Sequence, residues 1–262
     1  MKSLKLGKKP ARRLLSTIAI SDFTAASWPT VKAQGWEYAP APVTLDMLGN
    51  DTTGDCVIAA AMHYAQVETA NTGNPLTASA ALAIQTYSAI TGYDPTQTDA
   101  NGNNPTDQGT DFQSQLFPYW KATGIPMLDK TGAQVMHKIL GFASLDLSSV
   151  AQQRYASFTF GGVLMGINCP QSALDAVNNG TNNWLYDPTS PIVGGHGINI
   201  VGQGSAGWHL DSWGTLVEGT WQFSQALADE MYAVVTPSWV AANGTSPSAL
   251  NLTALLAAMA AL

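Results

Sequence analysis

Leu48-Gly49-Asn50-Asp51-Thr52-Thr53-Gly54-Asp55-Cys56-Val57-Ile58-Ala59-Ala60-Ala61-Met62 is a polar, glycine-bearing loop that runs straight into an alanine-rich apolar segment. Asp51, Thr52, Thr53 and Asp55 are residue types that cap helices or make turns. Residues 57–66 have the composition of a helix that stops at Asn71-Thr72-Gly73-Asn74-Pro75. Cys56 therefore falls at a helix N-terminus, where unpaired N–H groups and the macrodipole favour a thiolate. A lone cysteine in an apolar helix is also an ordinary small hydrophobe, and this stretch by itself does not choose between the two.

The composition sets the outer limits. The 262 residues are 45% apolar, enough for a sizeable core, and only 11% charged. Six of the eleven basic residues (Lys2, Lys5, Lys8, Lys9, Arg12 and Arg13) crowd the N-terminus. Eighteen acids against the five remaining basic residues make the body acidic. Such an arm can clamp its own domain, a neighbouring subunit or a polyanion, whereas the acidic body argues against nucleic-acid binding. Cys56 and Cys169 make neither a disulfide framework nor a four-ligand zinc site, and no metal or cofactor motif occurs, so none is expected. No run approaches the ~20 apolar residues of a membrane span. Residues 14–20 after Arg12-Arg13 make a short, poor leader with a weak cleavage site at Ala25-Ala26-Ser27. A cytoplasmic or virion-associated protein is expected ahead of a secreted one.

Three regions follow in order. Residues 1–40 read as a basic arm broken by Gly7, Pro10, Pro29, Gly35 and Pro40, with Trp28, Trp36 and Tyr38 as docking points. Residues 41–237 read as one α+β domain, helices first and strands second. Helices are expected over 57–71, 76–90 and 110–123, the last capped by Asp107 or Asp111, with a long polar loop at 92–109. Strands are expected at 156–160, 162–168, 197–201, 208–213, 219–223 and 230–235, with a hairpin at 203–207. Residues 238–262 read as a linker around Asn243-Gly244-Thr245-Ser246-Pro247 and an apolar helix that must bury a face on the body or on a partner.

About 140 residues beyond Cys56, Gly194-Gly195-His196-Gly197 opens a strand, and Asp211-Ser212-Trp213-Gly214 follows the hairpin. This order resembles the papain-like cysteine peptidase superfamily, as a divergent member of bacterial or phage type. The likeness covers a loop–helix block near 48–66 and a β block from about 162 to 223. It implies a helical half carrying the Cys helix, packed on an antiparallel β half, with the active-site cleft between them. It also implies acyl transfer through a thioester. Cys56 would be the nucleophile, His196 its proton partner, Asp211 the group that orients His196, Asn50 an oxyanion-hole donor, and Trp213 a shield over the His–Asp contact. The sequence departs from the family at Asn50 (usually Gln), Asp211 (usually Asn) and Val57 (usually aromatic), and in lacking paired cysteines around the nucleophile and a second Trp-Gly within 215–220.

The implied activity is hydrolysis of a peptide or another amide. Acyl transfer of transglutaminase type would use the same residues. A different class of function is a catalytically weak or idle papain-like module of a larger assembly such as a phage virion, docked by residues 1–40 and 250–262. Among the other histidines, His63 reads as a core or surface residue, His209 as a competitor for Asp211, and His137 has no context. Cys169 reads as a bystander.

Overall fold

The computed structural model describes residues 4–12, 17–23, 36–37, 43–243 and 251–261. Residues 25–28, 38 and 244–247, singled out in the sequence as a cleavage site, docking aromatics and a linker, lie outside them, as does part of the leader-like run.

Helix α1 (Cys56–Asn71) is the axis of the molecule, and every side chain from Cys56 to Thr69 is buried. A helix that is apolar on all sides must be packed on all sides. Its alanines and the glycines of the facing strand permit a close approach: a Cβ on Gly197 would lie 3.1 Å from the Cα of Val57. Helix α2 (Ala80–Thr91) starts at Ser79, whose side chain accepts from the Leu82 N–H, and stops at Gly92 in the left-handed region. A π-helical turn (Phe112–Leu116) leads into α3 (Phe117–Ala122). Asp111 caps it by accepting from the Ser114 N–H. Asp107 does not cap it. Asp107 instead accepts from the Gly54 N–H and from the Tyr87 hydroxyl, and so fastens the loop before Cys56 to α2.

The strands are β1 (Trp36–Glu37), β2 (Ile125–Leu128), β3 (Gln134–His137), β4 (Gly141–Ser144), β5 (Val163–Pro170), β6 (Asn183–Trp184), β7 (Ile192–Gln203), β8 (Gly207–Ser212), β9 (Thr215–Thr220) and β10 (Ala228–Val235). The main sheet runs β4-β10-β5-β7-β8-β9-β6, with β1 also on β7, and among the described residues only its β6–β9 strand pair is parallel. Strands β5 and β10 are buried on both faces. Val163, Met165 and Ile167 join one core with Met231 and Ala233, while Leu164, Tyr232 and Val234 join the other with α1. The helical half and the β half thus share two strands.

Two strand expectations are overturned. Residues 156–160 belong to α4 (Val150–Phe160), held by the Ser149 side chain on the Gln152 N–H and ended by Gly161 in the left-handed region. Aromatic and hydroxyl residues gave that segment a strand-like composition, but caps and a buried face decide. Residues 219–223 are split between the end of β9 and α6 (Trp221–Leu227), because the Thr220 side chain accepts from the Phe223 N–H and starts a helix. After α5 (Gln171–Asn178) and α7 (Pro237–Asn243), α8 (Leu252–Ala260) buries Leu255 and Met259 on the body itself. There Met259 packs on Gly141 of β4 and its carbonyl accepts from Lys121 Nζ at 2.6 Å.

Candidate active site

Strand β7 runs alongside the N-terminal turn of α1, which brings His196 and Cys56 onto the wall of one cavity with Asn50, His63, Asp211, Ser212 and Trp213. Among the described residues that cavity measures about 10 Å³, room for about one water molecule. The Gly197 N–H donates to Cys56 Sγ at 3.4 Å, so the residue after His196 holds the sulfur.

His196 is fully buried and its ring lies flat against Trp213, centroids 3.9 Å apart and planes 15° from parallel. Trp213 takes a φ of +49°, rare for a bulky residue, at the sharp bend between β8 and β9. That bend lays the indole over the imidazole. His196 Nε2 lies 2.8 Å from Ser212 Oγ, and Nδ1 has no hydrogen-bond partner among the described residues.

Asp211 is not on His196. Its Oδ2 lies 2.5 Å from Nδ1 of His63, one of the buried side chains of α1. Both Asp211 and Ser212 line the cavity, but Asp211 turns to His63 and Ser212 to His196. The resemblance marked Asp211 for this contact, and the structure gives it to Ser212. His63, read from sequence as a bland histidine, stands in the site. Its spacing of seven from Cys56, two helical turns along the same face, was the available signal. His137 also has a context: it accepts from Trp120 Nε1 through Nδ1 and faces Glu68 through Nε2. Cys169 is buried, with its thiol within 3.8 Å of the Pro170 carbonyl.

The N-terminal arm runs through this cleft. The Lys5 carbonyl accepts from Asn50 Nδ2 at 3.3 Å and from Trp213 Nε1 at 3.2 Å, and the Lys5 N–H donates to the Asn50 carbonyl at 3.0 Å. The Gly7 backbone comes close enough to the Cys56 sulfur to favour its thiolate form. Gly7 carbonyl accepts from Thr110 N–H at 2.8 Å, Lys8 N–H donates to Gly195 carbonyl at 3.1 Å, and Lys9 N–H donates to Thr110 carbonyl at 2.9 Å. The slot fits bare backbone: a Cβ on Gly7 would lie 1.7 Å from the Gly54 carbonyl oxygen, one on Gly109 2.0 Å from that of Gly7, and one on Gly195 2.2 Å from that of Lys8.

Closure sets the protonation states. Burial pushes the Cys56 thiol up to about 11, against the smaller opposing effect of the Gly197 and Gly7 N–H groups. Burial pushes the His196 imidazole down to about 3. The lowered thiol expected from the helix terminus is thus overridden in the closed cleft, which holds a neutral thiol beside a neutral imidazole. Burial also raises the Asp55 carboxyl well above its usual range.

No protein-family model and no curated protein sequence matches the chain. Solved structures do. Xylellain, a cysteine protease from Xylella fastidiosa, superposes with a TM-score of 0.62 at 12% identity, covering 90% of this chain and 97% of the other. The chain has the papain-like cysteine protease fold. Procathepsin B S9 from Trypanosoma congolense (TM-score 0.55, 10% identity, 90% of this chain and 87% of the other) and procathepsin L 3 from Tenebrio molitor larval midgut (0.53, 14%, 89% and 76%) are similar to it too. The papain-like fold accounts for the α+β arrangement, with α1 packed against a mostly antiparallel sheet and the cavity between them. No helix of the described residues is long and apolar enough to cross a membrane.

Proposed function

We propose that this chain is a thiol hydrolase, a peptidase or amidase, held latent by its own N-terminal arm. The observation that carries the reading is the pairing at the α1 terminus: Cys56 and His196 share one cavity, and the one His196 nitrogen without a partner among the described residues is Nδ1. With Nε2 engaged by Ser212 and the ring pinned by Trp213, Nδ1 is the nitrogen left to take the thiol proton.

In the open enzyme Cys56 Sγ attacks the carbonyl carbon of the amide while its proton passes to His196 Nδ1. Asn50 Nδ2 donates to the oxyanion, as it now donates to the Lys5 carbonyl. His196 returns the proton to the leaving amine, giving a thioester. Water then adds with His196 as base, and the acid and the free thiol are released. Trp213 keeps bulk water from the face of the imidazole it covers.

The arm is an inhibitor in this arrangement, because its backbone fills the cleft beside Cys56 through bonds to Asn50, Thr110, Gly195 and Trp213. The assembly reading relied on residues 1–40 and 250–262 as docking elements. Residues 4–12 lie in the cleft and α8 lies on β4, so both are engaged by the chain's own body.

The test is turnover of fluorogenic peptide amides by the full chain carrying Gly7→Ala, in which the added methyl collides with Gly54. Hydrolysis that disappears with Cys56→Ala and with His196→Ala supports the reading. A folded Gly7→Ala protein that labels no cysteine with a thiol-reactive peptide electrophile and turns over no peptide refutes it.

A further inference from the structure

We propose that the cleft beside Cys56 contains a pocket that selects a cationic side chain, floored by Asp229 and Glu230 and given its room by Gly166, and that Lys8 is its resident occupant. This rests on the hydrolase reading for its meaning as substrate selection; the pocket itself is argued from Lys8.

The arm's backbone contacts carry no side-chain information. The bonds from Gly7, Lys8 and Lys9 to Thr110 and Gly195 are all main chain to main chain, and any extended peptide can make them. Lys8 is read differently. Its side chain is fully buried, with Nζ 2.8 Å from Asp229 Oδ2, 3.0 Å from Glu230 Oε1 and 2.9 Å from the Lys9 carbonyl. Its ammonium donates to Asp229 and to the Lys9 carbonyl, and Glu230 adds an ion pair. Tyr232 donates to the other oxygen of Glu230 at 2.6 Å, and Gln113 Nε2 bonds the Tyr232 oxygen, so the carboxylate is fixed before any lysine arrives.

The space is specific as well. A Cβ on Gly166 would lie 2.0 Å from Lys8 Cε and 2.7 Å from Glu230 Cγ. Any other residue there fills the channel that the lysine stem uses. Asp229 Oδ1 is buried without a hydrogen-bond partner among the described residues, so an arginine, with five donors, finds an acceptor that lysine leaves unused. Asp229, Glu230, Gln113 and Tyr232 also border a cavity of about 470 Å³ among the described residues. Two carboxylates close together without a cation repel each other, so the pocket discriminates against neutral occupants as well as attracting charged ones. The position of this residue is fixed relative to the nucleophile: its neighbour Gly7 packs on Gly54, two residues before Cys56, and its own N–H bonds the carbonyl of Gly195, next to His196. The substrate class is therefore a peptide with lysine or arginine next to the residue held at Cys56.

The experiment uses the full chain carrying Gly7→Ala and Lys8→Glu, which keeps the arm's own lysine out of the pocket. The probe is a labelled peptide of residues 4–12, compared with the same peptide carrying Lys8→Leu, with binding measured at low and high salt. The parent peptide is expected to bind at least tenfold more tightly. That preference should vanish when Asp229→Asn and Glu230→Gln are added, and also with Gly166→Ala, which blocks the space and leaves both charges. A fluorogenic peptide library should show the same preference in kcat/KM at a single position. Equal binding of the two peptides, or a preference that survives both sets of changes, overturns the pocket. A lysine preference in binding without turnover of any peptide keeps the pocket and overturns the hydrolase reading. Turnover indifferent to basic residues does the reverse.

Discussion

Asp211 approaches His63 to 2.5 Å, while His196, which shares the cavity with Cys56, is met by the hydroxyl of Ser212 at 2.8 Å. On the proposed hydrolase reading, the orienting contact to His196 falls to Ser212 rather than Asp211, and the two contacts separate by mutation. Ser212→Ala removes the group that aims His196. In the Gly7→Ala background it should lower kcat about tenfold or more with little change in KM, and leave the unfolding midpoint nearly unmoved. Asp211→Asn breaks a buried contact and should destabilise the fold by about 3–5 kcal/mol in a denaturant titration. If Asp211→Asn instead lowers kcat at unchanged stability, the carboxylate orients His196 in the open enzyme.

Gly7→Ala should expose the nucleophile. In the wild-type chain Cys56 is buried under the arm with its thiol raised, so iodoacetamide at about pH 5.5 to 7 should label it slowly. The added methyl, 1.7 Å from the Gly54 oxygen, cannot be seated. Labelling read by mass spectrometry should accelerate at least tenfold at Cys56. Cys169, buried with its thiol on the Pro170 carbonyl, gives the reference rate, and Cys56 should overtake it. Equal rates at Cys56 in the two proteins would mean that the arm does not guard the sulfur.

Acid should weaken the closed form through His196. Its folded pKa of about 3 lies below the ordinary value of 6.5. Between those values the unfolded chain binds a proton that the folded chain refuses, so stability falls as pH drops from about 6.5 toward 3. At about 1.36 kcal/mol per pH unit, a shift of this size removes a few kcal/mol of stability across that range. The comparison is with His196→Gln, which cannot take up the proton. Urea midpoints measured from about pH 7 to 4 should fall more steeply for the wild type, and parallel curves would refute the assignment.

Glu68 should be worth more to the fold than any surface charge. Its Oε1 accepts from Thr236 and Ser238, both at 2.8 Å, and Oε2 faces His137, which is itself held by Trp120. These contacts tie α1 to β3, to α3 and to the turn after β10. Glu68→Ala leaves several buried donors unmet and should cost about 3–5 kcal/mol, whereas Glu68→Gln, which keeps an acceptor, should cost less. Thermal unfolding of the two variants separates them.

The parts of this fold written locally were the easiest to read. Helix α1 announces itself by its polar loop and alanine run, and the hairpin joining β7 and β8 by a glycine-rich turn between apolar segments. Helix α4 was misread because residues 156–160 have strand composition, although Ser149 and Gly161 mark both its ends. The motif order located Cys56, His196, Asn50 and Trp213 on one cavity. It did not reveal which of two adjacent residues faces the imidazole, because a strand's register at a bend depends on a backbone bend such as Trp213's positive φ. His63 was obscured by a helix buried all round, where no polar face exists to make one histidine conspicuous. Lys8 meets acids 221 and 222 residues away, a contact with no local signature beyond the charge contrast between arm and body.

Residues 17–23 fix how the latch behaves. Ser144 N–H donates to the Ile18 carbonyl at 2.8 Å, and Asn251 N–H donates to the Phe23 carbonyl at 2.7 Å, so the chain is stitched down again soon after it leaves the cleft. On the latency reading, the arm is a leashed inhibitor. Closing is a first-order event, with the arm at an effective concentration on the order of millimolar, and diluting the protein does not open it. A free peptide or a protein substrate must outcompete that local supply. Severing the chain between Arg12 and Thr17 would turn the same contacts into an ordinary bimolecular complex, and make activation irreversible at cellular concentrations.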